Sequence, residues 1–199
     1  MIELDSEGQK QEKEQELNCK IIAGKVGISN VDDFLSSLKI IARKYAVTIQ
    51  AMDAELIAGE EHIISAVKKA IRATERKRNI TSDLGLEILL YAAGRRQIER
   101  ALAMGVSVSE GENEKRVAIV IVDASARREK DLEMVAEEVK RKIGLQEEPI
   151  SELALEYKGD KKEGIKKFFD ITEAELKAVG EPKLKMLVLE RVAMLDVLK

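Results

Sequence analysis

Two stretches concentrate side chains suited to holding a charged ligand. In Gly94-Arg95-Arg96-Gln97 a glycine is followed at once by two guanidiniums, and Arg100 stands four residues beyond Arg96, on the same side of a helix. Backbone N–H groups at such a turn, with arginines beside them, suit an anion such as a phosphate or a carboxylate. In the second stretch Lys68, Lys69, Arg72 and Arg76 share one side of an amphipathic run and continue into Lys77 and Arg78. Each has a plainer alternative. Arg95 and Arg96 can reach solvent or pair with Glu87 or Glu99, and cations near a helix C-terminus are favoured by the dipole and ordinary on an outer face.

Other chemistry is sparse. No paired catalytic acids, nucleophile and base set, phosphate-binding lysine loop or cluster of metal ligands is visible, so neither enzymatic activity nor a metal or cofactor is expected. His62, the sole histidine, sits near the polar side of the second stretch and reads as a lone solvated side chain. The net charge of −3 provides no global attraction for nucleic acid, so any such binding must come from a local patch. Trp is absent and Phe and Tyr are scarce, which argues against aromatic base-stacking platforms. A single cysteine, Cys19, excludes an intrachain disulfide. With no leader-like segment and no apolar run of spanning length, a cytoplasmic protein without membrane contact is expected.

The elements that must carry these residues are read from periodicity. At 199 residues the chain suits a single α+β domain over 18–199, preceded by a disordered charged tail over 1–17. Strands are expected near 19–28, 48–57, 86–93 and 116–123, in β-α-β-α-β-α-β order with further C-terminal helices, forming a mixed or antiparallel central sheet. Gly24 and Gly27 mark a bulge or close approach in the first strand. Arg116 to Asp123 is apolar on both faces and reads as central. Leu86 to Ala93 reads as a short buried strand, with the period switching at Gly94 to a helix carrying Arg95 and Arg96 in its first turn. The dipole disfavours cations there by about 0.3–1 kcal/mol each, so something else must favour them. Helices are expected from Val31 to about Tyr45 with Asn30 as cap, from Glu60 onward, and from Lys130 to Ile143 with Gly144 as stop. Ser109–Glu114 reads as a solvated acidic loop, residues 153–157 as an edge strand, and Thr172 with Glu175 as a capping box for a short helix ending at Gly180. Pro182 opens a last helix that is apolar almost all round. Its surplus face either lies between layers or meets a partner, and Leu187, Leu189, Met194 and Val197 are the candidates for that contact.

The segments AELIAGEEHIISAVKKAIRA, LGLEILLYAAGRRQIERALAMGV and FDITEAELKAVG with LVLERVAMLDVL resemble archaeal members of the CGI-type family that includes the TPRK-binding protein (TPRKB). The resemblance runs from about Cys19 to the C-terminus and is most specific at Gly94, Arg96, Gln97, Ile98, Ala101 and Leu102. It implies a non-catalytic accessory subunit of the KEOPS complex, which installs threonylcarbamoyladenosine on tRNA. Such a subunit binds the small RIO-like kinase subunit and, in archaeal members, the tRNA 3′ CCA end. On that reading Lys69, Arg72, Arg76, Arg95, Arg96, Gln97 and Arg100 converge as one basic groove for RNA. The rival reading is a small anion- or metabolite-binding regulatory domain that uses Gly94–Arg96 and binds no RNA.

Overall fold

The strand with two apolar faces is central, and helices cover both of those faces. The computed structural model describes residues 17–107, 114–125, 127, 129–153, 160–180 and 183–198. In chain order these form β1 (Cys19–Val26), α1 (Val31–Tyr45), β2 (Thr48–Asp53), α2 (Glu60–Glu75), α3 (Leu84–Ala93), α4 (Ile98–Leu102), β3 (Lys115–Val122), α5 (Leu132–Ile143), β4 (Gln146–Glu148), α6 (Asp160–Phe168), α7 (Glu173–Val179) and α8 (Leu184–Leu198). The sheet is antiparallel throughout, in the order β2-β3-β1-β4. Val117, Ile119 and Ile121 of β3 pack under α1 and α5, while Ala118, Val120 and Val122 pack under α2, α3 and α8. The fold is therefore α+β, as expected, with an open antiparallel sheet between two helical layers.

The expected strand at 86–93 is instead helix α3. Its sequence lacks a 3.6-residue period because it is buried on every side, from Glu87 to Ala93, between α2, α8 and the edge strand β2. The terminal signals were present: the Asp83 carboxylate accepts from Leu86 N–H, and Gly94 ends the helix in the left-handed region at φ 60°. The β-α-β-α-β-α-β order is thus replaced by one with three consecutive helices between β2 and β3. The fourth strand is the polar tripeptide Gln146–Glu148, which carries no apolar alternation because it pairs only along the outside of β1. Gly24 makes that pairing possible, since a Cβ there would come within 2.1 Å of the Gln146 carbonyl oxygen.

Several boundaries also move. β2 stops at Asp53, where the Asp53 carboxylate accepts from Glu55 N–H and starts a 3-10 turn over Ala54–Leu56. Leu153 closes another such turn, and 154–157 of the expected edge strand lie outside the described residues. So do 109–113 of the acidic loop, Pro182, and the N-terminal tail apart from Leu17, which packs against the core. The Asn30 cap and the Thr172–Glu175 capping box are both formed. No helix among the described residues is long and apolar enough to cross a membrane.

Candidate functional site

The Gly94 turn ends one helix instead of beginning another, and this reverses its electrostatics. Gly94 N–H donates to Tyr91 O at 2.9 Å and Arg95 N–H to Leu90 O at 3.1 Å, so the two backbone donors expected to face an anion cap α3. Arg95 and Arg96 stand beyond the negative end of α3, where cations are favoured. Arg95 is also engaged: its Nη2 donates to Phe168 O and to Asp170 Oδ2, each at 2.7 Å, and so caps the end of α6. Arg96, Gln97 and Arg100 are exposed, and neither arginine has an ion pair among the described residues. Glu87, considered above as a partner for these arginines, is fully buried and accepts the N–H groups of Ile80 and Thr81 at 2.9 and 3.1 Å. It thereby pins the loop between α2 and α3.

On the basic side of α2, Lys69 meets the C-terminal helix. Its Nζ lies 2.8 Å from Asp196 Oδ2, and the Tyr91 hydroxyl donates to Asp196 Oδ1 at 2.5 Å. Burial, then this hydrogen bond, pushes the Tyr91 phenol well above its ordinary pKa. Arg72 and Arg76 are exposed beyond that junction. α3 runs back along α2, because Ala92 O lies 2.8 Å from His62 Nε2 in the first turn of α2 while Glu87 holds the loop after its last turn. Arg72 and Arg76 therefore lie about 15 and 21 Å along α2 from the end where Arg95 and Arg96 emerge. The structure presents two cationic stations, Lys69–Arg72–Arg76 and Arg96–Gln97–Arg100, with Arg95 held between α3 and α6.

His62 is not solvated; it is fully buried. Ala58 N–H donates to its Nδ1 at 3.1 Å, which leaves Nε2 to carry the proton and donate to Ala92 O. Burial lowers its pKa to about 4, so the ring is a neutral bolt between α2 and α3. The sequence position misled because the side of α2 that looked polar is partly covered by α3 and by Phe169, whose ring meets the imidazole edge-on.

Helix α8 separates into two faces. Leu184, Leu187, Val188, Val192 and Leu195 are buried, whereas Met186, Met194 and Val197 are 59%, 44% and 78% exposed. Of the four residues considered for partner contact, Met194 and Val197 face outward, Leu189 is half-buried, and Leu187 belongs to the core at 5% exposure. Met186 and Ala193 join the outward side, which the i, i+7, i+8, i+11 spacing marks once the inward stripe is known. Polar contacts fix the orientation of α8, among them Lys185 to Glu61 at 3.0 Å, Arg191 to Glu175 at 2.6 Å, and Asp196 to Lys69 and Tyr91. The Thr172 N–H and Arg191 hold the Glu175 carboxyl down at about 2.

Among the described residues, no three His, Cys, Asp or Glu side chains are placed to hold a metal ion. No curated protein matches the chain. A family model described as kinase binding protein CGI-121 matches residues 25–196, which includes both cationic stations and α8 up to Asp196. Since the match spans well over half of the chain, the protein belongs to the CGI-121 family of kinase-binding proteins.

Proposed function

We propose that this chain is a non-catalytic accessory subunit of the KEOPS tRNA threonylcarbamoyladenosine-modification complex. In this reading it binds the small RIO-like kinase subunit through α8 and the 3′ CCA end of tRNA through its cationic stations. The observation that carries the proposal is the outward apolar side of α8, with Met186, Met194 and Val197 exposed on a helix whose opposite stripe is fully packed. Large apolar side chains on one face of a firmly docked helix suit a protein partner. Support for RNA is electrostatic: exposed Arg72, Arg76, Arg96 and Arg100 on a chain of net charge −3. The rival small-anion reading loses ground, because the Gly94 turn spends its backbone donors on capping and Arg95 on Asp170.

Co-purification with the kinase subunit tests the first half. Met194→Glu and Val197→Glu are expected to abolish association while the thermal transition is retained, since an unpaired carboxylate at a desolvated contact costs several kcal/mol. Full retention of the kinase by both variants would remove α8 from the contact. Gel shifts against tRNA with and without its CCA end test the second half, with Arg72→Glu weakening binding only where that end is present.

A further inference from the structure

The basic side of α2 already holds an anion, and that anion belongs to the protein itself. Two donors from different helices grip the Asp196 carboxylate, the Tyr91 hydroxyl at one oxygen and the Lys69 ammonium at the other. Tyr91 is almost wholly enclosed, so its hydroxyl direction is set by packing, while the Lys69 and Asp196 side chains keep 19% and 39% of their surface open to solution. Arg72 stands three residues past Lys69, on the same side of α2, and is exposed. A preset hydroxyl donor, an ammonium and a neighbouring guanidinium form a donor set for a phosphate group. The occupant is unfavourably placed in its own helix. Asp196 lies in the last turn of α8, where the helix dipole repels negative charge and fraying is easiest.

We propose that Lys69, Tyr91 and Arg72 form a binding site for a backbone phosphate of single-stranded RNA, and that Asp196 fills this site in the free protein as a built-in competitor. The proposal deepens the RNA reading above and rests on it. It assigns Asp196 the role of tempering RNA affinity, and it ties the tip of the proposed kinase-contact helix to one of the cationic stations.

The test is RNA binding by the full chain as a function of salt, with a short single-stranded RNA ending in CCA as the probe. Asp196→Asn keeps a side-chain oxygen for Tyr91 but frees Lys69. It is expected to bind up to about tenfold more tightly at low salt, with the salt slope steeper by roughly one unit. Adding Lys69→Met to Asp196→Asn should erase the gain. Glu190→Gln removes an equal charge from the same helix without touching Lys69 and should leave the slope unchanged. If Asp196→Asn fails to fold, Asp196→Ser removes the charge, retains a hydroxyl for Tyr91 and carries the same expectation. Binding unchanged or weakened in the folded variant, or an equal gain from Glu190→Gln, would overturn the proposal while leaving the RNA reading standing. Conversely, if no variant binds RNA but inorganic phosphate raises the melting temperature of Asp196→Asn more than that of the wild type, the anion site stands and the RNA reading falls.

Discussion

His62 illustrates how one side chain gives the fold a pH dependence. Its ordinary pKa of 6.5 falls to about 4 in the folded chain, chiefly through burial. As pH drops below 6.5 the unfolded chain takes up a proton that the folded chain refuses, so stability falls with decreasing pH down to about 4. Over that window the loss from this group is roughly 3 kcal/mol, and His62→Gln should flatten the corresponding part of the urea stability curve. An unchanged pH slope in the variant would show that the ring protonates without penalty. Two other positions test backbone conformation with opposite signs. Gly94 ends α3 at φ 60° with Arg191 O only 3.1 Å from where a Cβ would stand, so Gly94→Ala should cost at least about 1–2 kcal/mol in denaturant unfolding. Ala46, at φ 51° after α1, already bears that left-handed strain, and Ala46→Gly should shift the midpoint the other way by about 0.5–1 kcal/mol.

Among the elements, α1, α2, α5 and the α7 cap were legible because each has one face in the core and one in water, so the apolar residues recur at helical spacing. Neither α3 nor β4 was, for opposite reasons: α3 is enclosed all round and β4 is exposed and polar. Element α6 carries too few apolar side chains to announce itself, yet it is held firmly. Lys161 donates to the carbonyls of Ala54 and Leu153 at 2.8 and 3.0 Å, and Arg95 grips its C-terminal end. Arg95→Met should therefore loosen the α6–α7 segment at a cost of about 1.5–3 kcal/mol, the range for hydrogen bonds made by a charged group. Hydrogen exchange should accelerate across residues 165–176 and leave β1 and β3 unchanged. Uniform acceleration over the whole chain would show that α6 is not a separable unit.

Over the whole molecule, the two cationic stations lie at opposite ends of α2, and this bears on how RNA would be held. Because about 15 Å of helix separates the end near Arg96 from Arg72, charge reversals at the two should act independently. Arg72→Glu and Arg96→Glu are each expected to reduce tRNA affinity in a strongly salt-dependent way, with the double variant losing the sum of the two free energies to within about 0.5 kcal/mol. Strong non-additivity would mean that one phosphate bridges both. Kinase association should survive all three variants, because Met186, Met194 and Val197 are carried by α8, whereas Arg72 is carried by α2 and Arg96 stands just before α4.

What the sequence by itself determined is whatever repeats locally: the doubly apolar central strand, the amphipathic helices, their caps, the cation-rich runs and the family signature around Gly94. These depend on neighbours within a turn or two, where propensity and periodicity act directly. Tertiary structure decided the rest, because the deciding partner is remote in the chain. Ala92 made His62 a buried bolt, Asp170 took Arg95, Asp196 took Lys69, and β1 made a strand of Gln146–Glu148. It also chose which side of α8 faces water, since a helix apolar nearly all round carries no internal record of the layer on which it will settle.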